Sequence, residues 1–423
     1  MSSVTAKPSR GHAAPRSERK DTLVSRVLAM PMASYYLVLA ATALLIGLGV
    51  LMVLSASSVY AENSAGNPYF YVQRQVAFLA IGGPLAWWMS RRSPEFLVKL
   101  GWPAWLLGIV LLMLAMPQIS PFAQTFGGNT NWVRIGGANG VQLQPSEFAK
   151  LALVVWTAAL FARKIKVLDQ PRHLLVPFVP GAALMVALIL AGRDLGTALV
   201  IGMAVFALMF FIGTPIRLLA ALGGVAALAV GGLVASSPNR MARIMVWLDP
   251  NHHTDIASQP TAALYALATG GWWGLGLGAS RQKWGALKNG PHTDFVFAVL
   301  GEELGLIGVL VTLALFGVLG YAGFRIAVRS DKPFCRMAAA GITAWFTLQA
   351  AINILVVLGL LPVLGVPLPF LSYGGSALLS SLLATGILLA CARQEPDARR
   401  LLARKKAGPR PRMTSVVDAG TSR

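Results

Sequence analysis

The sequence predicts an all-α polytopic membrane protein of about ten transmembrane helices, with a large extracytoplasmic loop between the seventh and eighth. Three observations carry that reading. Of 423 residues, 56% are hydrophobic and only 12% charged, with a mean hydropathy of +0.64; soluble domains run near half apolar and about a quarter charged. The apolar residues fall in runs close to the roughly 20 that a helix needs to cross a hydrocarbon core of about 30 Å. Lys and Arg gather on alternate connections between those runs. Helix is the expected state because backbone groups in lipid must pair within their own segment. A barrel would need short alternating strands.

The expected spans are about 34–55, 75–90, 98–116, 146–162, 174–191, 195–212, 217–235, 304–324, 337–358 and 372–391. The first is too long for the apolar core of a cleaved signal, and "SASSVYA" after it matches a cleavage site only weakly, so it reads as a retained anchor. The second is short. The fourth opens on "VQLQPSEFAKLAL": Pro145 suits a first helical position, Glu147 the first turn, and Lys150 pairs with it three residues on. A lysine there is expensive to bury and invites an anionic partner. Asp194 in "AGRDLGTALV" is placed to cap the sixth span. Before the last span, Pro362, Pro367 and Pro369 break the chain, and Ser372 and Tyr373 begin a non-helical stretch to Ser376. Such backbone at membrane depth is tolerated only against protein or a polar cavity.

The net charge of +20 invites a nucleic-acid reading, but the distribution opposes it. Basic residues cluster in the tails 1–33 and 394–423 and at Arg91, Arg92, Arg163, Lys164, Lys166, Arg325, Arg329 and Lys332. This asymmetry places both termini and the even-numbered return loops in the cytoplasm. The tails are expected to be disordered or to hold anionic membrane lipid, with no nucleic acid as partner. The domain proper is 34–393. Cys335 and Cys391 offer neither a disulfide framework nor zinc spacing.

The outer connection 236–303 is too long for a plain loop and is not low-complexity. Its apolar spacing and Trp272, Trp273 and Trp284 predict short helices at the interface. Its glycines do not form a phosphate loop of the GxxxxGK[ST] type. Arg240, Arg243, Arg281, Lys283 and Lys288 stand where positive charge is otherwise scarce, which suits an anionic headgroup such as a diphosphate, or a solvated face.

That loop ends in "KNGPHTDFVFAVLGEELG". Asp294, beside His292, is read three ways: a helix N-cap, a general base for a hydroxyl nucleophile, or a holder of a divalent cation. Glu302 and Glu303 either mark the entry of the eighth span or are buried and paired.

Four strings, "LQPSEFAKLAL", "DLGTALVI", "GLGASRQKWGALKNGPHTDFVFAVLGEELG" and "PLPFLSYGGSALLS", resemble the SEDS family (shape, elongation, division, sporulation) over about residues 34–393. The "SRQKWG" and "GEELG" wording is most similar to its cell-division branch, FtsW. Departures are Asn131 before Trp132, where the family often has arginine (the nearest is Arg134), Arg193 for the proline of "QPDLG", and Ala262 for a glutamine.

The resemblance implies a peptidoglycan glycosyltransferase that joins lipid II to the growing glycan chain, with undecaprenyl diphosphate leaving. It makes Asp294 the catalytic residue and associates Lys150, paired with Glu147, with the substrate cavity. The further candidate substrate residues are His292, Lys283, Arg281, Arg243, Arg134, Ser372 and Tyr373. A divalent cation, Mg2+ or Mn2+, is an expected cofactor without a distinct ligand set. The implied partners are a class B penicillin-binding transpeptidase and other divisome proteins, at the septal cytoplasmic membrane. A lipid II flippase and a non-catalytic scaffold are the competing readings.

Overall fold

The computed structural model describes residues 26, 28–126, 129–136, 140–165, 176–249, 255–285, 287 and 291–406. Along the chain these form α1 (Ala33–Ala65), α2 (Phe70–Ser90), α3 (Pro94–Leu114), β1 (Ala123–Phe126), β2 (Asn129–Ile135), β3 (Val141–Leu143), α4 (Pro145–Arg163), α5 (Phe178–Ala191), α6 (Leu195–Phe211), α7 (Ile216–Ala235), α8 (Pro238–Leu248), α9 (Asp255–Gly270), α10 (Val296–Arg329), α11 (Pro333–Val357), α12 (Gly375–Ala392) and α13 (Pro396–Lys406). The protein is an all-α polytopic membrane protein. Among the described residues seven helices, α1, α3, α4, α7, α10, α11 and α12, are long and apolar enough to cross a membrane; α5 and α6 are shorter and apolar. With the 21-residue α2, each expected span coincides with one helix.

Local chemistry sets the boundaries. Ser93 accepts from the Phe96 amide and Pro94 follows at the start of α3, the arrangement that satisfies one orphan donor and suits proline's missing N–H. Pro145 and Pro333 likewise open α4 and α11, there without a side-chain cap. The centre of the bundle is α4, α11 and α12, whose apolar windows are mostly buried, whereas α7 buries only Leu219 among its described residues.

Three features depart from expectation. A three-stranded antiparallel sheet, β1–β2–β3, occupies the α3–α4 connection; its strands are too short to show alternation. The C-terminal stretch expected to be disordered contains α13, tied by Arg329 to Asp397 at 2.6 Å; the rest of both tails lies outside the described residues. Finally, α10 is broken at Gly305 (φ 66, ψ −165). A Cβ there would lie 2.4 Å from the Gly274 nitrogen, so only glycine permits this contact. At the break, the carbonyls of Glu302 and Glu303 accept from Leu275 and Gly276.

Candidate active site

Asp294 sits just before α10 and does not cap it: the N-cap is Phe295 and no side chain caps the helix. Its carbonyl accepts from Asn353 Nδ2 of α11 at 2.8 Å, and the same amide donates to Val366 at 2.8 Å. The carboxylate is half-buried and abuts Gly365 (φ 70), where a Cβ would sit 3.8 Å from Oδ2. Burial pushes the Asp294 carboxyl from 3.8 up to about 6; the nearby Arg243 guanidinium opposes the rise and Asp194 adds to it.

Leu361–Leu364 wall a cavity of about 780 Å³; Asp294 is not among its lining residues and adjoins that wall through Gly365. Arg193, Arg240 and Arg243 line it, together with Leu199, Val230 and Leu233 from α6 and α7. Arg243 Nη1 donates to the Val363 carbonyl at 3.2 Å and Arg240 Nη1 to Leu233 at 2.9 Å. Neither arginine has a carboxylate within ion-pair distance among the described residues. Arg193 holds a left-handed backbone (φ 61), which proline, fixed near −65°, cannot adopt.

Asp194 caps α6 through the Thr197 amide at 3.0 Å, as its position predicted. It also accepts from Asn131 (2.9 Å), Gln144 (3.0 Å) and Ser146 (3.0 Å), so its lone pairs are committed to fixing the sheet and α4.

His292, Ser372 and Tyr373 are brought beside Asp294. Ser372 Oγ donates to the Thr293 carbonyl at 2.6 Å, and the Tyr373 amide donates to the His292 carbonyl at 2.8 Å. His292 is buried, and desolvation pulls its pKa from 6.5 down to about 4, so it is neutral at physiological pH.

Other candidates lie elsewhere. Lys150 is fully buried, paired with Glu147 at 2.6 Å and donating to Gln349 Oε1 at 2.9 Å; it lines none of the described cavities. Lys283 is also buried. It pairs with Glu303 at 2.9 Å and donates to the Gly278 and Ser55 carbonyls, while Ser55 Oγ donates to Glu303 at 2.6 Å. Both glutamates are buried, but only Glu303 is ion-paired: Glu302 accepts from Ser280 Oγ and from the Arg281 amide. Arg281 itself is exposed, and Arg134 lies on β2 opposite Gln142. Neither lines the arginine cavity. Lys288 lies outside the described residues.

No three His, Cys, Asp or Glu side chains converge on a metal position among the described residues. Among the described residues Asp294 has no second free carboxylate to share an ion with, since Asp194 is occupied. The residues present do not fit a protein-held divalent cation.

Sequence reasoning missed Gln349 and Asn353, although two amides one turn apart in an apolar span are themselves a signal. Gln349 Nε2 donates to the Pro367 carbonyl at 2.7 Å, so α11 grips both the Asp294 segment and the proline-broken loop.

Fold and site together define a polytopic helical membrane protein with a perturbed carboxylate beside a basic cavity at one end of its bundle. Residues 35–397 match the model of the FtsW/RodA/SpoVE family, described as cell cycle proteins. The chain belongs to this family, the SEDS proteins of the motif resemblance. It is 38% identical over 387 residues to a probable peptidoglycan glycosyltransferase FtsW of Mycobacterium tuberculosis, covering 91% of this chain and 72% of that one. It is 36% identical over 349 residues to stage V sporulation protein E of Bacillus subtilis, covering 82% and 94%. Among solved structures, it is similar to a chain of a peptidoglycan synthase complex that coordinates polymerization and crosslinking (TM-score 0.66, 28% identity, 87% of this chain and 99% of that chain). Thermus thermophilus RodA gives a TM-score of 0.61 at 28% identity, over 85% and 96%.

Proposed function

We propose that this protein is a peptidoglycan glycosyltransferase that polymerises lipid II at the outer face of the cytoplasmic membrane, in the manner of the FtsW branch. The observation that carries the reading is the Asp294 carboxyl, raised to about 6, next to an arginine-lined cavity walled by α6 and α7. Asp294 takes the proton from the GlcNAc 4-hydroxyl of one lipid II. That oxygen forms a bond to the anomeric carbon of MurNAc at the end of the growing chain, and the bond from that carbon to the lipid diphosphate breaks. The proton ends on Asp294 and the negative charge on the departing diphosphate. A base with a pKa near the working pH suits the first step. Fixed guanidinium groups suit the second, because they meet charge as it develops. The cavity fits that leaving group in both halves: Arg240 and Arg243 for the diphosphate, Leu199, Val230 and Leu233 for the start of its prenyl chain. The loosely packed α7 leaves this side open toward the bilayer.

No step is assigned to a metal ion. The positive-inside pattern orients both termini to the cytoplasm and Asp294 to the outside. A class B transpeptidase is the expected partner, consistent with the synthase complex of similar fold, and the septum is the expected site of action. The test is purified protein with lipid II in detergent. A polymerase makes glycan strands without a sealed bilayer; a flippase or a scaffold makes none, and no product from folded protein, with or without the transpeptidase, rejects the reading.

A further inference from the structure

An in-line displacement places nucleophile and leaving group on opposite sides of the anomeric carbon. The arginine cavity occupies one side of Asp294, toward Gly365 and Arg243. Outside that cavity, and separated from Asp294 in the chain only by Thr293, three tyrosines close around His292. Their ring centroids lie 4.8 Å (Tyr71), 5.4 Å (Tyr60) and 5.6 Å (Tyr373) from the imidazole, and Tyr71 is 4.9 Å from Tyr373. The rings come from the end of α1, the start of α2 and the loop before α12, and none of the four lines the arginine cavity.

This cluster is not an ordinary packed core. Tyr60 is exposed and Tyr71 and Tyr373 are half-buried, so each keeps ring surface available at the end of the bundle. The buried His292 holds Nδ1 with no hydrogen-bond partner. A polar atom left unpaired inside protein is rare enough to need a reason. Arg74 lies at the edge of the cluster: it stacks over the Phe70 ring at 4.4 Å, and donates to the Gly140 carbonyl at 3.4 Å and to the Tyr373 hydroxyl. The tyrosine faces offer an aromatic surface over the buried imidazole, with the Arg74 guanidinium at its rim. Burial keeps that imidazole neutral, and the three ring faces suit the C–H face of a sugar.

We propose that the Tyr60, Tyr71 and Tyr373 ring around His292 is the acceptor sugar subsite, where an N-acetylhexosamine lies against the tyrosine faces with its 4-hydroxyl directed to Asp294. Aromatic faces carry negative charge density and attract the C–H face of a pyranose. A polar group of the sugar meets His292 Nδ1 once a covering ring moves aside. The inference rests on Asp294 as the base of the polymerase, and it gives each of the two reacting sugars its own side of the carboxylate.

The test separates donor from acceptor on the full-length protein in detergent. A lipid II capped on its 4-hydroxyl with galactose serves only as donor. A GlcNAc–MurNAc methyl glycoside, which has no diphosphate, serves only as acceptor. Their single coupled product is measured for Tyr60→Leu, Tyr71→Leu and Tyr373→Leu, each beside its Tyr→Phe control. The Leu variants are expected to raise the acceptor KM about 3- to 10-fold above their Phe controls, the range of one aromatic stacking contact, with donor KM unchanged; the Phe controls keep the ring face and lose only the hydroxyl contacts. An unchanged acceptor KM, or donor and acceptor KM rising together, overturns the subsite. Failure of the wild-type protein to couple the two substrates instead overturns the polymerase reading, and the subsite with it.

Discussion

Replacing Lys150 with Met isolates the role of a lysine that the structure buries away from the described cavities. The Glu147–Lys150 pair is 2.6 Å apart and almost fully buried. At an effective dielectric near 20, two unit charges at that distance attract by about 6 kcal/mol before desolvation is subtracted. Neither Glu147 oxygen has a hydrogen-bond partner, so removing the lysine leaves a buried carboxylate with no counter-charge. Breaking such a pair costs about 3–5 kcal/mol, whereas replacing both members by apolar side chains of similar size is often close to neutral. Lys150→Met is therefore expected to lower the thermal midpoint in detergent sharply, and the double variant Glu147→Leu/Lys150→Met to recover most of the loss. Scanning calorimetry or thermal fluorescence on the purified variants reads both. A double variant as unstable as the single one refutes the reasoning. One that recovers stability while making no glycan refutes a purely structural role and returns Lys150 to the substrate.

The Asp294 carboxyl is raised to about 6, so its basic form is lost below that pH: polymerisation should fall along an acid limb centred near pH 6, with about a tenth of the plateau rate at pH 5. A limb near pH 4 contradicts this. Arg243→Gln removes the cation that opposes the rise, so the limb should move above pH 6 while the plateau rate drops, on the order of 10- to 100-fold; a pH–rate profile checks both. Gly305→Ala meets a left-handed φ and the Gly274 backbone, and should cost about 1–3 kcal/mol or more of stability, read as a lowered thermal midpoint. An unchanged midpoint would mean that the break in α10 relaxes freely.

The spans were readable because lipid imposes a length and a composition on each helix. The β1–β3 sheet was not. Its strands are four, seven and three residues long, too short for a period to emerge, and the hairpin signals, Gly127–Gly128 between β1 and β2 and Asn139–Gly140 between β2 and β3, stand without alternating runs beside them. In the site, Asp294, His292, Ser372 and Tyr373 were all named from the sequence and converge. Lys150 and Lys283 were read toward an anionic ligand because a lysine in an apolar chain invites one. The structure gives Lys150 the Glu147 partner that its spacing predicted, and gives Lys283 a carboxylate of the chain itself. For Lys283 that partner is Glu303, twenty residues away across a loop, a distance over which sequence patterning has no reach. Asn353 and Arg193 went unassigned for a related reason: one acts on a backbone carbonyl, the other enters the cavity through its turn at φ 61.

The most direct measurement is gel-resolved polymerisation of labelled lipid II by the purified wild type and by Asp294→Asn, a substitution that keeps the shape and removes the base. The wild type should yield glycan strands. Asp294→Asn should yield none while remaining at least as thermally stable at pH 8, because the unfavourable ionisation of a buried carboxyl is gone. Strands from the Asn variant at the wild-type rate would contradict the account.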